Sequence, residues 1–184
     1  AVKLNPYSEL FGETMLTLTR TLKSLVGAAS LAALLSTPAL AGDFVGLDSW
    51  TGDFYTIDTV TGTATNKGLL AGGPMFGFGA MDCAPNGDLY ATAPGMFSGY
   101  SIYKIDQATM TAAMLFSIST SCTGGVGLAV DPSGNSVWVA GFVGMSLNVD
   151  IEEVDLTTGV MTPRVAAGGN MWGLGFDGAG NLYS

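Results

Sequence analysis

Two short phrases recur along the chain at nearly constant intervals, and that periodicity restricts the fold more than any other feature. "YTIDTVTG", "YKIDQATM" and "EEVDLTTG" align at Asp58, Asp106 and Asp155, which lie 48 and 49 residues apart. Interleaved with them, "GAMDCAPNGDLYAT", "GLAVDPSGNSVWVA" and "GLGFDGAGNLYS" align at Asp82, Asp131 and Asp177, with steps of 49 and 46. "GGPMFG" from Gly72 and "GGNMWG" from Gly168 recur at twice that period. A fixed period of this size marks an array of like units, because one unit cannot bury its own apolar surface and must stack on its neighbours.

Within one period the chain reads as four strands. "FGAMD" passes through a Pro-Asn-Gly turn into "DLYATA", a Gly-rich loop leads to "SIYKID", and "QATM" turns the chain into "TAAMLFSI". The segments are short, rich in β-branched and aromatic residues, and bounded by turn-forming Gly, Pro, Asn or Thr. No stretch after residue 41 holds helical spacing. The class expected is all-β, and four-stranded antiparallel units at roughly 40–50 residues are the blades of a β-propeller. In "SIYKID", Ile102 would face one side and Tyr103 and Ile105 the other, so both faces of the sheet are apolar, as stacked blades require. Glycines in "GLAVD" and "GLGFD" suit inner strands that crowd a common axis.

The blade units are expected at about 42–71, 72–118, 119–166 and 167–184. Gly42-Asp43-Phe44 aligns with Gly87-Asp88-Leu89, so the array begins at the second strand of one blade and stops in the second strand of another. Three, four, four and two strands make an incomplete ring of about three blades. The expectation is a piece of a longer reading frame, the alternative being closure by self-association.

Ahead of the array, Met15 opens "MLTLTRTLK" with Arg20 and Lys23, then comes the apolar "SLVGAASLAALLS", then "TPALA" with small residues at Ala39 and Ala41. The apolar run is shorter than the roughly 20 residues that span a bilayer. Residues 15–41 therefore read as a cleaved secretory signal peptide, and residues 1–14 as an upstream or untranslated segment. The expected mature domain, 42–184, is extracellular or periplasmic and keeps no transmembrane segment.

Cleavage also reshapes the charge. The whole chain carries a formal −9, and the mature part keeps only Lys67, Lys104 and Arg164 against thirteen acids. Nucleic acid is excluded as a partner, since affinity there comes from lysine and arginine neutralising phosphates. For Cys83 and Cys122 an oxidising compartment favours a disulfide, but the topology puts them on opposite rims, and bridged Cα atoms must lie within about 7 Å.

Asp58, Asp106 and Asp155 each begin a D-x-x-T-x hairpin, where a carboxylate can accept backbone N–H bonds, so they are assigned as structural turn residues. No calcium loop and no Cys/His cluster is present, so neither a metal nor a cofactor is expected. With no histidine in the chain the commonest general base and the Ser-His-Asp triad are excluded, and no catalytic residue is assigned. Glu152 and Glu153 with Asp150 form the one acidic cluster; neighbours on a strand point to opposite faces, and a solvated edge is expected. In a meander the loops after the second and fourth strands share a rim, where Trp50, Phe76, Met96, Phe97, Phe142, Met145 and Trp172 fall. Such side chains beside glycine-rich backbone suit an adaptable binding surface, and would equally plug gaps between blades.

The combination of "GLAVDPSGN…VWVA" with "Y-x-I-D-x-x-T-G" resembles the propeller repeats of secreted bacterial proteins of the NHL and YVTN classes, over essentially all of 42–184. Such repeats carry many functions, so the resemblance implies a fold rather than an activity. The leading reading is a secreted, non-catalytic binding or scaffold module that offers its aromatic rim to a glycan, an extracellular polymer or a protein. The alternative is a lactonase-like propeller hydrolase or lyase with catalytic residues partly in further blades. Enzymes of that kind gather a metal from acidic and Asn side chains at the axis or, for the streptogramin lyases, need a His; neither set maps onto this chain. A third reading makes the repeats spacers of a surface-layer protein.

Overall fold

The structure, a computed structural model, describes residues 44–184 except 96–98, 145–147, 167 and 170. The expected signal peptide and the segment before it lie outside the described residues. Among the described residues there is no helix, and thirteen strands follow one another in four sheets. The first sheet holds β1 (Phe44–Leu47), β2 (Asp53–Ile57) and β3 (Ala64–Leu69). The second holds β4 (Ala80–Cys83), β5 (Leu89–Pro94), β6 (Tyr100–Asp106) and β7 (Thr111–Ile118). The third holds β8 (Cys122–Val130), β9 (Ser136–Val143), β10 (Val149–Asp155) and β11 (Met161–Ala166). The fourth pairs β12 (Gly175–Phe176) with β13 (Leu182–Tyr183). Every neighbour in a sheet is its neighbour in sequence and runs antiparallel. Each sheet is thus a meander, and its turns alternate between two rims.

The second sheet is buried on both faces, and strand alternation divides its side chains between two cores. Tyr90, Tyr100, Ile102 and Ile118 pack with Leu128, Val130, Val137, Val139 and Val154 of the third sheet. Leu89, Ala91, Ala93, Tyr103 and Ile105 pack with Phe54, Leu70 and Phe78 from the first sheet and the loop after it. Ile102 therefore faces one neighbour and Tyr103 and Ile105 the other. Tyr103 meets Phe78 edge-on, with centroids 5.5 Å apart.

The first strands of successive sheets, β4, β8 and β12, adjoin one another, and here side chains have no room. A Cβ on Gly79 would lie 1.9 Å from the Gly125 carbonyl oxygen, and one on Gly125 2.9 Å from Thr92. Thr92 is fully buried; its hydroxyl donates to the Gly125 carbonyl at 3.0 Å and accepts from the Ala80 N–H at 3.1 Å. Both cysteines are free, Cys83 exposed and Cys122 buried. The Val130 N–H donates to Asp82 Oδ2 at 2.8 Å, so it is the far end of β8 that meets the end of β4 carrying Cys83. At about 3.3 Å per residue along β8, Cys122 lies well beyond bridging distance.

Candidate binding rim

The two rims differ in chemistry. The β2–β3, β4–β5, β6–β7, β8–β9, β10–β11 and β12–β13 turns share one rim, and each brings an aspartate: Asp58, Asp88, Asp106, Asp131, Asp155 and Asp177. These carboxylates are engaged within their own turns. Asp58 Oδ1 accepts from the N–H groups of Val60 and Thr61 at 2.7 and 2.9 Å, Asp106 Oδ1 from Ala108 and Thr109 at 2.8 and 3.2 Å, and Asp155 Oδ1 from Thr157 and Thr158 at 2.8 and 2.7 Å. The bonds stabilise the charged form, chiefly through Thr61 for Asp58, Thr109 for Asp106 and Thr158 for Asp155, and hold all three below the usual carboxylate range. Asp177 is pushed down to about 2, first by the Asn181 side chain. Asp88 is held low chiefly by Lys104, its partner at 2.7 Å.

Among the described residues, the opposite rim is formed by the loops 48–52, 70–79 and 119–121, by Gly95, Gly99, Gly144 and Asn148, and by 168–174 apart from 170; their one ionisable side chain is Asp48. Asp48 Oδ1 accepts from the N–H groups of Trp50 and Thr51, both at 2.8 Å, which folds the β1–β2 loop into a tight turn with Trp50 at its tip. Trp50 is 91% exposed. Its loop meets the β3–β4 loop at Gly77, where φ is 75° and a Cβ would lie 1.8 Å from the Ser49 carbonyl oxygen. Met75 and Phe76 stand exposed beside this contact. An open cavity of about 360 Å³ lies between the two loops, bounded by Thr51, Gly52, Gly72, Gly73, Met75 and Phe78 among others. On the third sheet Trp172, 71% exposed, rests edge-on against Phe142, with centroids 5.6 Å apart and planes at 77°. Phe142, expected in a loop, belongs to β9, because pairing with Val149 carries that strand to the edge of the rim. Adjacent loops are tied together: the Gly99 N–H donates to the Cys122 carbonyl at 2.7 Å and the Gly144 N–H to the Ser121 carbonyl at 3.1 Å. Trp50 and Phe76 thus form one group and Phe142 and Trp172 another. Met96, Phe97 and Met145 lie outside the described residues.

The solvated acidic edge requires correction. Glu153 is partly exposed and pairs with Arg164, whose guanidinium sits 5.7 Å from the Trp138 ring centroid. Glu152 points the other way and is only 4% exposed. Three donors meet its carboxylate: the Tyr100 hydroxyl at 2.9 Å, the Thr120 hydroxyl at 2.5 Å and the Cys122 thiol at 3.4 Å. Burial, and then the neighbouring Glu152, raises the Tyr100 hydroxyl and pushes the Cys122 thiol up to about 12. Such a thiol stays protonated and unreactive at neutral pH. This network joins the second and third sheets just beneath the uncharged rim. Aligning "IEEVD" with "IYKID" would have revealed it, since Glu152 occupies the place of the buried Tyr103. Among the described residues no group of three or more His, Cys, Asp or Glu side chains is arranged to hold a metal ion.

No protein-family model matches the chain, nor does any curated protein. Several solved structures share its architecture. It is similar to TolB from Acinetobacter baumannii, with a TM-score of 0.54 and 17% identity over 85% of this chain and 39% of that one. It is also similar to a gluconolactonase from Xanthomonas campestris, with a TM-score of 0.52 and 18% identity over 75% of this chain and 50% of that one. The fold is that of a β-propeller. A third similar structure, an auxiliary nutrient binding protein from Bacteroides ovatus, gives a TM-score of 0.53 at 16% identity over 78% of this chain and 32% of that one. The chain spans half or less of the length of these three structures. At such identities the likeness concerns the fold alone, so the functional reading rests on the residues of the propeller's own rims.

Proposed function

We propose that this propeller is a secreted, non-catalytic binding or scaffold module, related to the NHL and YVTN repeat proteins, that presents its uncharged rim to a glycan, an extracellular polymer or a protein. The observation that carries this reading is the exposure of Trp50 and Trp172 on a rim whose described loop residues include one ionisable side chain, Asp48. Large exposed aromatic side chains grouped on one face mark an interaction site more often than an idle surface. Secretion is supported by the leader-like segment 15–41; among the described residues, no helix is long and apolar enough to cross a membrane.

The test is binding of the full chain to bacterial extracellular material. Trp50→Ala and Trp172→Ala should each weaken binding while leaving the thermal unfolding midpoint nearly unchanged, because neither ring belongs to the core. Unchanged binding contradicts the proposal. The gluconolactonase among the similar structures makes lactone turnover the natural control: turnover abolished by chelation would replace the non-catalytic reading with a lactonase-like one.

A further inference from the structure

We propose that the uncharged rim receives a neutral polysaccharide, with the Trp50 and Trp172 indoles serving as stacking platforms for uncharged sugar rings. This rests on the binding-rim reading above and names its ligand class.

Charge selects the ligand. The one ionisable side chain of these loops, Asp48, already accepts two N–H bonds within its own turn. The three basic residues of the described chain, Lys67, Lys104 and Arg164, lie on strands β3, β6 and β11, and the latter two are engaged by Asp88 and Glu153. A carboxylated, sulfated or phosphorylated polymer would find no cation in these loops, only Lys67 on the adjoining edge strand β3, and would approach a molecule of formal charge −9. A cationic polymer would be drawn to the aspartates of the opposite rim. A neutral ligand suffers neither bias.

Shape distinguishes a sugar chain from a protein surface. A protein interface of ordinary strength buries about 800 Å² on each partner around a contiguous packed centre. Here the indoles belong to two separate groups, Trp50 at the first sheet and Trp172 beyond the third; the Asp48 turn fixes the backbone that carries Trp50, and Phe142 packs edge-on against the Trp172 ring. Flat apolar faces set apart in this way, with small polar groups beside them, suit the apolar faces and hydroxyl edges of separate pyranose rings along one extended chain. At the cavity that Thr51, next to Trp50 in sequence, helps to line, those polar groups are the Thr51 side chain and the exposed peptides of Gly72 and Gly73. Its volume of about 360 Å³ falls within the roughly 300–1,000 Å³ of small-ligand sites.

The experiment is affinity gel electrophoresis of the full chain through neutral polymers (xyloglucan, galactomannan, amylopectin, dextran) and anionic ones (alginate, polygalacturonate). Retardation is expected in at least one neutral polymer and in neither anionic one. Trp50→Ala and Trp172→Ala should each weaken it about tenfold or more, and Trp50→Phe less, with far-UV circular dichroism unchanged. Equal retardation in alginate, or none in any neutral polymer, overturns the proposal. A second arm measures pelleting with bacterial extracellular matrix before and after periodate oxidation or protease treatment. Binding lost after periodate and retained after protease supports the sugar assignment. Binding that survives periodate and is lost after protease overturns it but keeps the rim reading, provided the Trp substitutions still weaken binding. Binding indifferent to both substitutions overturns the rim reading itself.

Discussion

The two rims of this propeller solve the same problem, reversing the chain between antiparallel strands, with opposite chemistry. At the rim of short hairpin turns each reversal carries an aspartate, and in the turns of Asp58, Asp106, Asp155 and Asp177 the carboxylate is consumed by backbone donors of its own turn. At the other rim the longer loops are nearly free of charge, lean on one another through glycines, and leave Trp50, Met75 and Trp172 in solvent. A turn that satisfies itself has little polar capacity left for a partner. A loop that carries almost no charge and exposes its rings has spare apolar surface, which is what association removes from water.

The largest expected effect breaks the glycine contacts of the uncharged rim. Gly77→Ala forces a Cβ onto the Ser49 carbonyl at a left-handed φ and should cost about 3 kcal/mol or more in urea unfolding. Gly87→Ala, in an Asp-bearing turn with φ of 88° and nothing within 4 Å of the new Cβ, should cost only about 1 kcal/mol. Equal costs would mean that the uncharged loops yield, and that they are not held against one another. Next, Tyr100→Phe removes one of three donors to a buried carboxylate beneath that rim and should cost about 1–3 kcal/mol. Tyr183→Phe removes an exposed bond to Asp177, 3.1 Å long, at the other rim, and should stay within about 0.5 kcal/mol.

Acid should act through the aspartate rim. The folded-state values of Asp58, Asp106, Asp155 and Asp177 lie below the ordinary 3.8. Their contribution is therefore fully present above about pH 4 and is lost as pH falls toward about 2, the value reached by Asp177. Thermal midpoints measured across that window should fall, and Asp155→Asn should flatten the fall. An unchanged slope would show that these turns do not respond to their carboxylates. The smallest effect is expected for Met110→Gly. The aligned turns end in Gly62, Met110 and Gly159, all at positive φ, and Met110 alone pays that strain while packing against the core beside Ala112. Relief of about 1 kcal/mol of strain should nearly cancel the lost packing, so unfolding midpoints should move little.

The contrast between strands and site shows where a single sequence is readable. Strand order and the two-faced second sheet could be read because turn residues and alternation are local signals repeated three times, and Ile102, Tyr103 and Ile105 divide between the two cores accordingly. The environment of Glu152 is not legible locally: two adjacent acids look like a solvated cluster, while the surroundings are set by Tyr100 and Thr120, 52 and 32 residues away. The stacking of Arg164 on Trp138 likewise depends on cross-strand register, Glu153 opposite Trp138 and Thr162, which no short motif encodes. Nothing in the sequence marks Met75 as exposed beside Phe76, because exposure at a loop tip is decided by how neighbouring loops lean together and not by residue type.

Hydroxyl-radical footprinting of the full chain, alone and with bacterial extracellular polymer, interrogates both rims at once. Protection of Trp50, Met75 and Trp172, with Val60, Val160 and Tyr183 at the aspartate rim as reactive as before, is the result the account predicts. Protection confined to Val60, Val160 and Tyr183 would contradict it.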